Sequence, residues 1–351
     1  MFAPDRTSPD PQTLRALCAE LASAADDSAR CGPWRSGAFA SLARHGALAG
    51  FIDRDAGGVG AAEPAILELL SAVAETCLTT ALAVSQWAAA CRIIAAGDPA
   101  TRAAWLPPLA RGDSRTTIGI SQLTTSRQHL GSAALRAQRQ GDGWRLEGLC
   151  PWVTGADAVD SIVTGAATAD GQAFFIVPTD APGVLIEPPL EMLSLTGSRT
   201  SVVRFAGVTP AAVIAPLQGS GPRTGGLATT ALAIGAARAS LAVIDREAVA
   251  RPILEPVSRQ FRAETDGLAA RLAHAASSGI EPADRDRLRA DANSLVLRAA
   301  QAALTACKGA GFIAGHPAER LVREAMFFLV WSCPQAVTHA VLCDLLKEGS
   351  G

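Results

Sequence analysis

The sequence predicts an α+β protein in three parts: an N-terminal α-helical domain over residues 1–113, a central antiparallel β-barrel over residues 114–217 and a C-terminal four-helix bundle over residues 218–351. Two observations predict this order. Apolar residues recur at helical spacing in both alanine-rich outer parts, whereas the middle part holds short β-branched runs separated by turn residues. A chain of 351 residues is long enough to bury a large core and to divide into subdomains.

The helices of the first part are indicated by apolar faces and by capping residues. Leu14, Leu17 and Leu21 share one face of a helix. Asp98-Pro99 offers an N-cap followed by a first-turn proline, which starts a helix that we expect to end before Pro107-Pro108.

The middle part is indicated by a hairpin signal and by regular strand spacing. The turn residues Gly141-Asp142-Gly143 lie between the runs Ala134–Arg139 and Trp144–Leu149, which predicts a β-hairpin. Further short apolar runs follow at the spacing of a small antiparallel barrel or sandwich.

The last part returns to helical spacing. Helices are predicted over residues 226–250, 255–277, 283–307 and 317–347, with short joints between them. Four long helices joined in this way predict a bundle.

Composition narrows the function classes. The net charge is −2, and charged residues make up 18 % of the chain, so there is no basic field for nucleic acid or an anionic membrane. The two apolar helical stretches are interrupted by Gln86, Arg92 and Arg238, which argues against membrane spans. The N-terminus lacks the apolar segment of a secretory signal. We therefore expect a cytoplasmic protein with neither a nucleic acid nor a membrane as partner.

The cysteines predict neither a metal site nor a disulfide scaffold. The eight are scattered, without a C-x-x-C pair or a Cys/His cluster at metal spacing. Reduced thiols are the expected state.

The segment Pro151–Gly155 holds the most informative side chains. In a strand, alternate residues face the same side, so Trp152 and Thr154 would present an indole and a hydroxyl to one ligand. An aromatic wall with a hydrogen bond suits a flat heteroaromatic ring such as a flavin. The alternative is a buried Trp beside a strand Thr.

Several segments carry a family resemblance through their order along the chain. They are Leu42–Gly50 with Gly57–Gly60, Trp105–Gly112, Gly141–Trp144, Trp152–Thr154, Leu195–Thr200 with Phe205–Val208, Arg246–Pro252, Lys308–Phe312 and Pro317–Ala325. In this order they resemble the acyl-CoA dehydrogenase family over nearly the whole chain. The last two look like its GGYGY and P-x-E-R-x-x-R-D-A motifs.

The resemblance implies FAD as the cofactor and assigns it contacts. Trp152 would lie against the isoalloxazine, and the Thr154 hydroxyl would reach the polar edge of that ring. Ser121 takes the place of the Thr in the family's T-E-P strand, whose main chain meets the pyrimidine end. Three more residues match family positions that contact the pyrophosphate or the nucleotide: Arg246, across a subunit boundary; Gly309, by close backbone approach; and Gln335.

The same resemblance implies that the usual catalytic base is missing. In the family, a Glu about one helix after P-x-E-R removes the α-proton of a thioester. Reading forward without gaps puts Trp331 at that position, and an indole has no basic lone pair. Some members carry the base at the start of the first bundle helix, but Ser220–Thr224 holds no carboxylate. Arg127 and His129, in the altered T-E-P region, are candidates for contacting an anionic ligand group.

Three functions follow from the resemblance and stay open. The first is an FAD-dependent oxidoreductase acting on a CH–CH group of an acyl thioester, such as an acyl-CoA, or a related small molecule. The second is a flavin-dependent monooxygenase on the same fold, and the third is a non-catalytic flavin-binding or scaffold homologue. The resemblance also implies a homodimer or homotetramer, with an electron-transfer flavoprotein or O₂ as electron acceptor.

Overall fold

The chain forms two compact units in the computed structural model. The first consists of Met1–Ala62 and Leu82–Arg223, and the second of Glu63–Ala81 and Thr224–Gly351. The structure describes residues 1–3, 5, 7–124, 134–214, 226–331 and 333–346. The three-way division at residues 113 and 217 stays a prediction.

Helices flank the sheet along the sequence of the first unit. They are α1 Pro11–Ser23, α2 Ala25–Cys31, α3 Ala38–Arg44, α4 Ala47–Gly50, α6 Leu78–Ala95, α7 Pro99–Arg111 and the single turn α8 Ser121–Thr124. The first four residues of α6 belong to the second unit. Asp10 caps α1 and Asp98 caps α7, each through a carboxylate that accepts the backbone N–H three residues on.

The end predicted for α7 is wrong by one turn. The helix continues through Pro107 and Pro108 to Arg111. Gly112 closes it at φ +76°, and its N–H is donated back to the last turn. Each proline removes only one backbone hydrogen bond, the one its missing N–H would have donated to the carbonyl four residues back.

Eight strands form one sheet in the first unit. They are β1 Thr116–Gly119, β2 Leu135–Gln140, β3 Gly143–Val153, β4 Ser161–Thr168, β5 Gly171–Pro178, β6 Val184–Ile186, β7 Ser201–Val208 and β8 Ala212–Ile214. Their order is β6-β7-β3-β2-β4-β5-β8, with β1 paired to β4. The predicted hairpin is confirmed as β2–β3, with Gln140 opposite Gly143.

The sheet is mixed, which corrects the prediction of a wholly antiparallel barrel. β1 runs parallel to β4, and β2 meets β4 in parallel at Arg136 and Ala167. Adjacent strands joined by short turns, β2–β3 and β4–β5, are antiparallel. Parallel partners need a long crossover, and the chain between β1 or β2 and β4 provides one.

The second unit is helical. Its helices are α5 Glu63–Thr76, α9 Leu227–Ala250, α10 Glu255–Ser278, α11 Pro282–Gly311, α12 Pro317–Ala325 and α13 Gln335–Leu345. α5 approaches α9 closely at Gly235, where an added Cβ would lie 2.2 Å from the Ser71 carbonyl oxygen. Arg238 Nη1 donates to Ser71 Oγ at 3.2 Å on the same contact.

The fourth bundle helix, predicted over residues 317–347, is interrupted. α12 ends at Ala325, a 3₁₀ turn covers Met326–Leu329, and α13 begins at Gln335. Pro334 separates the 3₁₀ turn from α13, because proline donates no backbone N–H and disfavours helical geometry in the residue before it. We call residues 326–334 the interhelical loop. The predicted order of helical, sheet and helical parts is otherwise confirmed.

Among the residues that the structure describes, two helices are long and apolar enough to cross a membrane by length and composition alone. They are α6 and α9, and 72 % and 78 % of their most apolar windows are buried inside the structure. Such burial is typical of core helices in folded proteins.

Candidate functional site

The C-terminal end of β3 presents Trp152 to solvent. The side chain is 55 % exposed, whereas the neighbouring Val153 is fully buried. An exposed indole on an otherwise packed sheet is unusual, because large aromatic side chains are mostly covered in folded proteins. Trp152 therefore offers one flat apolar face to a ligand.

Thr154 lies just beyond the strand and points into a hydroxyl cluster. β3 ends at Val153, so strand alternation does not place Thr154 on the face of Trp152. Its Oγ1 is 3.3 Å from Thr200 Oγ1, which is 2.9 Å from Ser198 Oγ. All three residues are buried. A hydroxyl both donates and accepts, so Thr154 keeps hydrogen-bonding capacity beyond this contact.

The turn after Thr154 packs against Trp34. Gly155 has φ +65°, and an added Cβ would lie 2.1 Å from the Trp34 ring. Trp34 stacks on Phe39 with ring centroids 4.7 Å apart. The Gly155 N–H is donated to the Ser198 carbonyl oxygen at 2.9 Å. Glycine is required here both by the positive φ and by the close approach of the indole.

An ion-pair cluster fixes the next turn of the same loop. The Asp157 carboxylate accepts from Arg199 Nε at 2.8 Å and from Arg35 Nη2 at 3.0 Å. Hydrogen bonding to Asp157 raises the pKa of Arg199, as an acceptor beside a cation should. Arg199 itself has φ +48°. The cluster therefore joins the loop after β3 to the segment before β7.

Ser121 lies outside the strand in which the resemblance put it. β1 ends at Gly119, and Ser121 begins the one-turn helix α8. Its Oγ is 3.5 Å from Cys150 Sγ on β3. Ser121 therefore belongs to the same unit as Trp152, two residues along β3 from this contact.

The remaining predicted cofactor residues lie on helices of the second unit and are exposed. Arg246 is on α9, Gly309 is in the last turn of α11 and Gln335 begins α13. Arg246 makes no ion pair within the described ranges. Nothing lies within 4 Å of a Cβ built at Gly309. Lys308, in the place of the first glycine of the family motif, has φ +52° and ψ −145°, a backbone region that glycine favours.

Trp331 lies in the interhelical loop and is partly buried. Its ring stacks on Phe327 with centroids 5.0 Å apart, and its carbonyl oxygen accepts from Arg289 Nη2 at 3.3 Å. The indole side chain has no basic atom that could accept a proton.

Some predicted candidates lie outside the described residues. These are Arg127 and His129 in the altered T-E-P region, and the start of the first bundle helix at Ser220–Thr224.

Other residues that shape the site were not predicted. Ser198, Arg199 and Thr200 lie in the motif segment Leu195–Thr200, so their polarity was the available signal, whereas Asp157 lies outside the motif segments. A surface hollow between α10 and α11, lined in part by Arg271 and His274, contains none of the predicted residues.

Comparison with known proteins finds similarity to acyl-CoA dehydrogenases. The family profile described as acyl-CoA dehydrogenase, N-terminal domain, matches residues 12–113. A probable acyl-CoA dehydrogenase of Bacillus subtilis (strain 168) is 25 % identical over 81 % of each chain. A probable acyl-CoA dehydrogenase of Mycobacterium leprae is 26 % identical over 95 % of this chain and 93 % of its own.

Solved structures share the fold. A glutaryl-CoA dehydrogenase of Mycobacterium smegmatis, in complex with FADH2, superimposes with a TM-score of 0.77 at 22 % identity, over 98 % of this chain and 96 % of its own. The glutaryl-CoA complex of a glutaryl-coenzyme A dehydrogenase gives a TM-score of 0.79 at 18 % identity, over 96 % of each chain.

These comparisons support membership of the acyl-CoA dehydrogenase family, whose N-terminal domain profile matches residues 12–113. The sequence resemblance is thereby confirmed, and it places the protein in a class of flavoprotein oxidoreductases.

Proposed function

We propose that this protein is an FAD-dependent oxidoreductase acting on a CH–CH group of an acyl thioester or a related small molecule. The observation that carries the proposal is the half-exposed indole of Trp152 at the end of β3. Its relatives are named as acyl-CoA dehydrogenases.

The residues of this chain fit FAD. Trp152 would stack on the isoalloxazine, and Thr154 and Ser121 would meet its polar edge. Arg246, Gly309 and Gln335 would hold the pyrophosphate and nucleotide, and the free guanidinium of Arg246 suits a phosphate. When bound, the flavin would supply the acceptor for hydride. The residues of this chain would stack on the flavin, orient it and exclude water from it.

Trp331 occupies the position of the family base in the gap-free alignment, and it offers no carboxylate. Proton removal then falls to another group, or the substrate is acidic enough to need little help. This observation also favours a second candidate, a flavin-dependent monooxygenase, because oxygen activation by reduced flavin needs no base at that place. A non-catalytic scaffold homologue is the third reading, and it predicts no flavin uptake.

We infer further that the protein is a cytoplasmic homodimer or homotetramer in which Arg246 reaches a partner's cofactor. Its electron acceptor would be an electron-transfer flavoprotein or O₂.

Replacing Trp152 tests the cofactor assignment. We expect the purified protein to show flavin absorption or to take up FAD. Trp152→Leu should weaken FAD binding by about 1.5 kcal/mol, roughly tenfold, because an aromatic stack is lost. Titration with FAD followed by fluorescence measures this. Trp144→Leu on the same strand is the control, since Trp144 packs on Phe175 and should leave the affinity unchanged. No FAD uptake by the parent protein would favour the scaffold reading.

Restoring a carboxylate tests the assignment of Trp331. We expect Trp331→Glu to raise anaerobic flavin bleaching by acyl-CoAs about 100-fold or more over the parent protein, the usual scale of a general base. Trp331→Gln is the matched control without a basic oxygen. A folded, flavin-loaded Trp331→Glu that stays as slow as Trp331→Gln across chain lengths would refute the alignment. Rapid O₂ consumption by the parent protein with reduced flavin would favour the monooxygenase.

A further inference from the structure

A buried polar cluster lies where α11 meets the interhelical loop. Arg289 and Asn293 are four residues apart on α11 and so share one face. They are 1 % and 0 % exposed. Asn293 Nδ2 donates to the Phe328 carbonyl oxygen at 2.9 Å, and Arg289 Nη2 donates to that of Trp331 at 3.3 Å. Two α11 side chains therefore hold the backbone of the loop.

Arg289 is an incompletely satisfied buried cation. Its Nε and Nη1 have no hydrogen-bond partner in the described part of the chain, and no carboxylate there pairs with it. Its guanidinium carbon lies 5.7 Å and 5.8 Å from the ring centroids of Phe328 and Trp331. Burial lowers its pKa to about 10. Burying a charge without a counter-charge is costly, so an anion formed here would be stabilised.

Cys333 is the group beside this cation that has the capacity to become an anion. The Cys333 thiol is a neighbour of the Arg289 guanidinium. Its Sγ lies 3.3 Å from the Phe328 carbonyl oxygen, 3.4 Å from that of Trp331, and 3.8 Å from Asn293 Nδ2. The residue is a free thiol and is partly exposed, unlike Arg289 and Asn293. Small oxidants therefore have access to the Cys333 sulfur. Beside it lie the buried Nε and Nη1 donors of Arg289, which have no partner within the described residues.

We propose that Cys333 is an oxidisable site at which a hydroperoxide converts the thiol to a sulfenic acid held by Arg289. The sulfur attacks the distal oxygen of ROOH, the O–O bond breaks and an S–O bond forms. The thiol proton ends on the leaving oxygen as ROH, so sulfur is oxidised by two electrons and the peroxide is reduced by two. The free N–H groups of Arg289 stabilise the leaving oxygen first and the sulfenate oxygen afterwards.

The modification would alter how the interhelical loop is held. In the thiol form, Arg289 binds the loop through one carbonyl oxygen. In the sulfenate form, it also pairs with an anion on the loop itself. The proposal rests on this cluster alone and does not require flavin binding, so its failure would leave the proposed function unaffected.

Peroxide treatment of the intact protein tests the site. We expect dimedone to trap a sulfenic acid at Cys333 at least about tenfold faster than at Cys18, Cys31 or Cys343. Those thiols share its partial exposure, so a faster reaction at Cys333 reports the Arg289 guanidinium. Mass spectrometry of peptides gives the four rates in one sample. Equal rates at the four thiols would overturn the proposal.

Variants of Arg289 separate its role from simple exposure. Arg289→Met should slow trapping at Cys333 about tenfold and leave the other three rates unchanged, and Arg289→Lys should give an intermediate rate. If Arg289→Met fails to fold, the melting temperature provides the test instead. Peroxide should raise the melting temperature of the parent protein and should leave that of Cys333→Ser unchanged. A Cys333 rate that is unchanged in Arg289→Lys and Arg289→Met, or no rise in melting temperature, would refute the assignment.

Discussion

Glu324→Gln is expected to stabilise the protein by about 3 kcal/mol above pH 7, on the scale of about 1.4 kcal/mol per pKa unit. Glu324 is 7 % exposed on α12, and burial raises its pKa from 4.5 to about 7. Arg320 Nε lies 3.9 Å from the Glu324 carboxylate, too far for a strong ion pair. The folded state thus pays to ionise this carboxyl.

The pH window follows from the sign of the shift. The folded pKa lies above the unfolded value, so the folded state binds more protons between pH 4.5 and about pH 7. The contribution of Glu324 to stability is therefore complete below the unfolded pKa and is lost as pH rises through the folded pKa. An amide does not titrate, so Glu324→Gln should match the parent protein near pH 4.5 and exceed it at pH 8.

Glu319 on the same helix provides a control of opposite sign. Arg323 lowers its pKa by hydrogen bonding, so its stabilisation is present at neutral pH and is lost on acidification. Urea unfolding of the parent protein, Glu324→Gln and Glu319→Gln at several pH values should show a gain at high pH for the first variant and a loss there for the second. A Glu324→Gln difference that does not grow between pH 5 and pH 8 would contradict the buried-acid assignment.

The sequence predicted those parts of the fold that depend on local signals. Gly141-Asp142-Gly143 marks its hairpin through turn chemistry alone, and Asp98 marks the start of α7. The parallel pairing of β1 with β4 joins residues some 45 positions apart, Thr116 and Ser161 among them, and no local pattern encodes such a pair. The break before α13 had a local signal in Pro334, which the helical periodicity of the last segment outweighed.

The candidate site shows the same contrast between residues located by local motifs and residues whose contacts depend on the folded chain. The family motif located Trp152 on β3, where its side chain is exposed, and its role toward a cofactor stays a prediction. Thr154 differs, since the strand ends one residue before it and its hydroxyl turns to Thr200. The contact of Arg289 with the interhelical loop joins residues 42 positions apart in the sequence. Only the folded chain shows that this arginine lacks an anion.

Gly155→Ala is expected to destabilise the first unit by roughly 3–5 kcal/mol, from αL strain and overpacking together. The added Cβ would lie 2.1, 2.6 and 2.9 Å from three carbon atoms of the Trp34 ring. That ring is 8 % exposed and is stacked on Phe39, which in turn meets Trp87 edge-on. The Trp34 indole therefore cannot move away from the added Cβ without disturbing a packed aromatic cluster.

Gly207→Ala separates the two causes, because Gly207 has φ +62° with nothing within 4 Å of its Cβ. It should cost about 1–2 kcal/mol through backbone strain alone, measured for both variants by urea unfolding. Trp34→Leu should recover part of the Gly155→Ala loss in a double-mutant cycle. Equal losses in the two glycine variants, or additive effects at Gly155 and Trp34, would mean that the turn after β3 does not rest on Trp34. Thr154 would then lack the support that positions it for a cofactor.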